Sequence, residues 1–192
     1  MLNFLKTLLA LACGVAMGLF LTWLTIERGY GFGAVKAGPW TAWPRSGTAE
    51  ADPYARAALA RNAETPLGLA EGLAFTASED SAGRQLDAAC LYRLSGAVPP
   101  ARYWTLTLSD ARGRLAETAQ GRYGFTSAEI LRDGDGRFEI SVARGVQPGN
   151  WLQPGAQKRF LLALRLYDSP VSATASALER AALPVITRGE CL

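Results

Sequence analysis

The sequence predicts a mainly β domain, a sandwich or barrel with one short helix ahead of it, carried behind a single transmembrane helix. Three observations carry that prediction. Residues Thr7 to Ile26 run without a single charge. Tyr103–Ser109 alternates strictly, with Trp104, Leu106 and Leu108 on one face and Tyr103, Thr105, Thr107 and Ser109 on the other. Short apolar runs separated by glycine-rich turns fill most of the chain after residue 72.

The uncharged run comes first. Twenty helical residues reach about 30 Å at a rise of about 1.5 Å each, the thickness of a bilayer's hydrocarbon core. Trp23 stands near the outer end, where aromatic belts lie. A cleavable signal peptide has a shorter apolar region and a small-x-small cleavage site. The residues after this run offer no clear Ala-x-Ala. Leu9–Cys13 resembles a lipobox, but Ala10 stands where leucine is usual and apolar residues continue beyond the cysteine. The reading is an uncleaved anchor over 7–26 in the lipid bilayer. Residues 1–6, with Lys6, are its cytoplasmic tail, and everything after Ile26 lies outside. Gly14 and Gly18 form a GxxxG pair, which lets two helices approach as a homodimer. Glycine is also common in membrane helices for no such reason.

Residues 27–49 read as an irregular approach segment, rich in glycine and in the aromatics Tyr30, Phe32, Trp40 and Trp43. The two tryptophans are expected to pack on the domain, which occupies 50–192. Asp52 is a good N-cap and Pro53 suits the first helical position, so a helix covers Tyr54–Arg61. Leu73–Ala77 and Cys90–Ser95 are strand candidates, with a turn cluster at Ser78–Gly83. Asp110–Gly113 reads as a hairpin connection returning through Arg114 and Leu115. Glu129–Arg132 and Arg137–Ala143 flank a second hairpin at Asp133–Gly136. Phe160–Tyr167 is apolar on both faces, which suits a central strand. No internal repeat is evident.

Taken in order, several segments carry a resemblance. They are DPYARAALAR at 52–61, C-x-Y-x-L-x-G at 90–96, PARYWTLTLSDARGRL at 100–115 and DGDGRFEISV at 133–142. GNWLQP at 149–154, RFLLALRLYDSP at 159–170 and LPVIT at 183–187 follow. From about residue 50 to 190 the chain resembles the family called Domain of Unknown Function 1214. That resemblance implies a β-sandwich of jelly-roll type and an envelope location. It brings no established activity. The companion domain, number 1254, that precedes it in many members has no room here, and the anchor stands in its place.

Composition removes several chemistries. Histidine is absent, so there is no Ser-His-Asp or Cys-His catalysis and no histidine metal site. A net charge of +3 does not suggest nucleic-acid binding. Nothing calls for a cofactor or a metal: Asp133 and Asp135 suggest calcium, but Arg137 and Phe138 occupy positions an EF-hand loop needs for an oxygen ligand and a glycine. Cys13 falls inside the anchor. Cys90 and Cys191 form an even pair beyond it, which in an oxidising compartment predicts a disulfide. Two separate thiols are the alternative. A nucleophilic thiol needs a base or a cationic setting, and histidine cannot supply it.

The candidate ligand-binding residues are Arg165, Trp104, Trp151, Asn150 and Asp168. Arg165 interrupts an apolar strand, and a buried guanidinium requires a partner. Asp87, Asp110 or Asp168 would make it a structural ion pair; an anionic ligand in a sandwich cavity would make it functional. Trp104 and Trp151 are large apolar bodies with one donor each, suited to the core or to a sugar platform, with Asn150 beside the second. The expected function is a non-catalytic binding or interaction module of the envelope. It would be anchored in a bacterial inner membrane with its domain in the periplasm, and its partner would be an envelope protein or polymer. The alternative is a hydrolase acting on a carbohydrate or lipid through carboxylates and Arg165.

Overall fold

The uncharged run forms one helix, α1, over Leu2–Glu27. The computed structural model describes residues 2–27, 33–62, 65–68, 70–115, 118, 120–170 and 182–191. Within α1, Asn3–Ile26 is long and apolar enough to cross a membrane. Side chains from Asn3 to Trp23 are exposed, and only Leu24, Thr25 and Ile26 are half-covered. Their end of the helix meets a second helix, α2, at Pro53–Asn62. The Asp52 carboxylate caps α2, accepting from the backbone N–H groups of Tyr54 and Ala55 at 3.0 Å each. Because α1 begins at Leu2, residues 2–6 continue the helix.

Among the described residues, ten strands follow in two sheets. They are β1 (Val35–Ala37), β2 (Trp40–Ala42), β3 (Gly72–Ala77), β4 (Cys90–Gly96) and β5 (Tyr103–Asp110), then β6 (Gly124–Thr126), β7 (Phe138–Val142), β8 (Asn150–Leu152), β9 (Phe160–Tyr167) and β10 (Val185–Cys191). The larger sheet runs β1-β2-β3-β9-β5-β6 and the smaller runs β10-β4-β7-β8. All pairs are antiparallel except β7 and β8. One apolar cluster joins the sheets. Tyr92 of β4 meets Phe160 of β9 edge-on with ring centroids 5.6 Å apart, and Trp104 of β5 lies 5.2 Å from Phe138 of β7. The sheets therefore face one another as a sandwich.

The expected approach segment is corrected in part. Residues 35–42 form a hairpin that adds β1 and β2 to the large sheet. Gly38, at φ +61°, takes the first loop position, which a tight hairpin turn of this kind reserves for a residue with positive φ. Trp40 is wholly buried and donates from Nε1 to the Pro184 carbonyl at 2.8 Å, and Trp43 is half-buried. The expected packing on the domain is met by Trp40, which belongs to the apolar core cluster. Tyr30 and Phe32 lie outside the described residues.

Three loops share one design that the sequence carries as Asp-x-x-Gly-Arg at 80–84, 110–114 and 133–137. In each, the aspartate N–H donates to the arginine carbonyl at 2.7–2.9 Å and the glycine N–H donates back to the aspartate carbonyl. The glycines sit at φ +79°, +79° and +76°. This is a type I turn closed by a glycine bulge.

Two hairpin readings change. After Asp110–Gly113 the described residues form one bridge, between Ser109 and Leu115, and β5 pairs along this edge with β6. Residues 129–132 are not a strand. Their backbone is held by a side chain: Asn150 accepts from the Leu131 N–H and donates to the Leu131 carbonyl, both at 2.8 Å. The amide stands where a strand's backbone would.

Strand β9 is central, between β3 and β5, but it is not apolar on both faces. Phe160, Leu162, Leu164 and Leu166 point into the core, while Leu161, Ala163, Arg165 and Tyr167 are half-buried on the other side. At the far edge of the small sheet, β10 pairs with β4 and carries the Cys90–Cys191 disulfide across 101 positions.

Candidate functional site

A cleft of about 290 Å³ opens where the two sheets end side by side. Strand β6 is the last strand of the large sheet and β8 the last of the small one. The segment 127–132 connects their edges. Arg122, Phe125, Glu129, Leu131, Gly149, Asn150 and Trp151 line the cleft.

Each wall has a local cause. Thr126-Ser127-Ala128-Glu129 has the spacing of a capping box. The Glu129 side chain turns back, and its Oε1 accepts from the Thr126 N–H at 2.9 Å. Its Oε2 lies 3.8 Å from Arg122 Nη1, and the Arg122 guanidinium stands 4.9 Å over the Phe125 ring. Opposite, Asn150 is buried and commits its amide to three backbone groups, the third being the Glu139 carbonyl at 2.9 Å. Trp151 is half-buried and donates from Nε1 to the Ala143 carbonyl at 2.9 Å, which fixes its indole plane. The cleft thus presents a braced aromatic ring, an exposed Leu131, and a carboxylate–guanidinium pair.

Of the five expected ligand-binding residues, Asn150 and Trp151 meet here. The other three do not line the cleft. Trp104 is a core residue, 2% exposed, with Arg132 lying 5.7 Å above its ring. Arg165 is corrected in position. Alternation along β9 sends Leu164 and Leu166 inward, so Arg165 lies on the outer face of the large sheet, between Ala74 and Thr105, and not in a cavity between the sheets. Asp110 is taken by Arg114 at 2.8 Å, and Asp87 caps the Ala89 N–H at 2.9 Å. Asp168 leaves β9 at φ +48° and stands 4.0 Å from Arg102, both largely exposed.

Sequence reasoning missed Arg122, Phe125, Glu129, Leu131 and Gly149. The capping-box spacing at 126–129 was the readable signal. Nothing local marks the other four, because the fold alone joins them.

Among the described residues, two carboxyl groups outside the cleft are shifted from their ordinary pKa. Burial pushes the Asp80 carboxyl upward, but the Arg84 N–H, the Arg84 guanidinium and the Ala82 N–H outweigh it and hold the pKa below the ordinary 3.8. Asp110 is held below 3.8 in the same way by Arg114 and Arg112. Both belong to the repeated loop, so these shifts report structure. Among the described residues, no group of three His, Cys, Asp or Glu is placed to hold a metal.

Residues 71–171 match the family described as "Protein of unknown function (DUF1214)". No curated protein matches the chain. Among solved structures, the VPA0106 protein from Vibrio parahaemolyticus is similar with a TM-score of 0.56 and 20% identity, over 73% of this chain and 36% of that one. An uncharacterized protein from Burkholderia cenocepacia is similar with a TM-score of 0.41 and 16% identity, over 67% of this chain and 32% of that one. The chain spans about a third of the length of these solved structures. The first likeness bears on the fold alone.

Proposed function

The chain belongs to the DUF1214 family of proteins of unknown function, and from that premise we propose that it is a membrane-anchored binding module of the bacterial envelope. Helix α1 spans the inner membrane once, and the sandwich lies in the periplasm. The observation that carries the location is the pairing of two features: an apolar helix long enough to span, and a disulfide in the domain that follows it. Disulfides persist in oxidising compartments, which is the far side of such a membrane. The Gly14–Gly18 face belongs to the same proposal, as the contact of a homodimer; both glycines have open space around them.

The β6–β8 cleft is the binding surface, and its partner is a segment of envelope polysaccharide. Trp151 supplies a braced aromatic face for a sugar ring, and Arg122 and Glu129 supply polar groups for hydroxyls. Two arrangements favour binding over hydrolysis. Glycoside hydrolysis uses two carboxyl groups about 5–9.5 Å apart, and Glu129 is the one carboxylate among the cleft's lining residues. Arg165, which the hydrolase reading needs, lies on the outer sheet face.

The test is tryptophan fluorescence of the full chain in detergent micelles, titrated with soluble cell-wall glycan fragments. Saturable binding that weakens at least tenfold in Trp151→Ala, with an unchanged fold, is the expected result. Binding that survives Trp151→Ala, or no binding at all, overturns the cleft as a sugar site.

A further inference from the structure

At the opposite edge of the small sheet from β8, the disulfide has a cationic neighbour. Arg188 Nη2 donates to Cys90 Sγ at 2.8 Å, and Nε lies 3.2 Å from Cys90 Sγ and 3.3 Å from Cys191 Sγ. The guanidinium is steadied 6.0 Å over the Tyr92 ring. Cys90 is 2% exposed, whereas Cys191 is exposed. The two sulfurs are therefore unequal. One can be reached from solvent, and the other is buried beneath a group that stabilises negative charge on sulfur.

Such an inequality directs and speeds thiol–disulfide exchange. The attacking thiolate must reach one sulfur, and the reaction is faster when the other leaves as a stabilised thiolate. Arginine beside a cysteine favours its thiolate. We propose that Cys90–Cys191 is an exchange site for a dithiol reductant, attacked at Cys191 and opened with Cys90 as the leaving group. The incoming thiol loses its proton to solvent, and its sulfur forms a bond to Cys191 Sγ as the Cys191–Cys90 bond breaks. The bonding pair departs on Cys90 Sγ, beside Arg188. The donor's second thiol, also deprotonated, then attacks its own sulfur in the mixed disulfide and releases Cys191. The donor is oxidised by two electrons to its disulfide, and Cys90 and Cys191 become thiols after taking up two protons.

The consequence is confined to one end of β10. Ile186 is buried, its N–H bonds to Ser81 Oγ at 2.9 Å, and the Pro184 carbonyl is held by Trp40. Opening the clasp frees the strand beyond Arg188, while the Thr187–Arg93 and Arg188–Tyr92 pairs with β4 keep its root in place.

The experiment uses the full chain with Cys13→Ser, oxidised, in detergent micelles. Glutathione is the trapping probe and dithiothreitol the reductant. Peptide mapping of acid-quenched samples is expected to find the glutathione adduct on Cys191. Arg188→Gln is expected to slow reduction by roughly threefold or more, with Arg188→Lys between it and the parent. The oxidised melting temperature of each variant reports whether it is folded. If Arg188→Gln does not fold, Arg188→Lys and the adduct map decide. An adduct on Cys90, or equal rates in the parent and every folded variant, overturns the proposal.

Discussion

Asp80 and Asp110 perform the same task in two settings, and replacing each with alanine separates hydrogen bonding from burial. Asp80 accepts from the Ala82 N–H at 2.9 Å, the Arg84 N–H at 3.0 Å and Arg84 Nε at 2.9 Å. Asp110 accepts from the Arg112 N–H at 2.8 Å, the Arg114 N–H at 3.0 Å and Arg114 Nε at 2.9 Å. The bonds match, but the Asp80 side chain is 1% exposed and the Asp110 side chain 19%. A hydrogen bond to a charged group contributes about 1.5–3 kcal/mol, and a donor left dry after truncation costs more than one that water can reach. Asp80→Ala should therefore cost about 3–5 kcal/mol and Asp110→Ala about 1–2 kcal/mol. In a chain of this length each kcal/mol moves the melting temperature by about 2–4 °C. The assay is thermal unfolding of the full chain in micelles, followed by circular dichroism. Equal losses, or a larger loss for Asp110→Ala, would refute burial as the deciding factor. The same pair sets an acid limit. Both pKa values are depressed in the folded state, so their contribution is complete above about pH 3.8 and is lost as pH falls through the lower folded values. Stability should drop below pH 3.8, and less steeply in the double alanine variant.

Three further outcomes are expected. Asn150→Ala orphans the Leu131 N–H, the Leu131 carbonyl and the Glu139 carbonyl. It should cost about 2–4 kcal/mol by denaturant unfolding and loosen the cleft, and a change under about 0.5 kcal/mol would contradict its bracing role. The Cys90→Ser, Cys191→Ser double variant opens a loop of 101 positions, for which chain entropy sets a ceiling near 4.7 kcal/mol. Its urea midpoint should fall, and an unchanged midpoint would remove the clasp from the stability account. Cys13 neighbours Gly14 on α1, so mild oxidation in membranes should cross-link two copies through Cys13. Gly14→Ile should abolish that product, and a cross-link that persists would mean the helices meet elsewhere.

Elements that bury one face by local alternation were legible in the sequence. Strand β5 announces itself through Trp104, Leu106 and Leu108, and α1 through its uncharged run. The cysteine pair followed from compartment and parity. Elements stabilised by distant partners were not legible. Strands β1 and β2 are three residues each; β2 exists because β3 pairs with it and Trp40 reaches Pro184, and β1 because it pairs with β2. Strand β8 is equally short and runs parallel to β7, a pairing that no turn signal between them announces. Arg165 misled for a physical reason. Leu161 and Ala163 are apolar, so the outer face of β9 looked like core, although they stay half-buried. The cleft was half legible: Asn150 and Trp151 adjoin in sequence, but Arg122 and Glu129 join them only because the two sheet edges come together. Arg188 was invisible as a partner of sulfur while the cationic setting was sought in histidine.

The central claim is that α1 anchors this domain on the outer side of the inner membrane. External protease added to intact spheroplasts making the full chain with a carboxyl-terminal epitope tests it most directly. The account predicts loss of the epitope while a cytoplasmic control protein stays whole. An epitope protected until the membrane is broken would place the domain in the cytoplasm and contradict it.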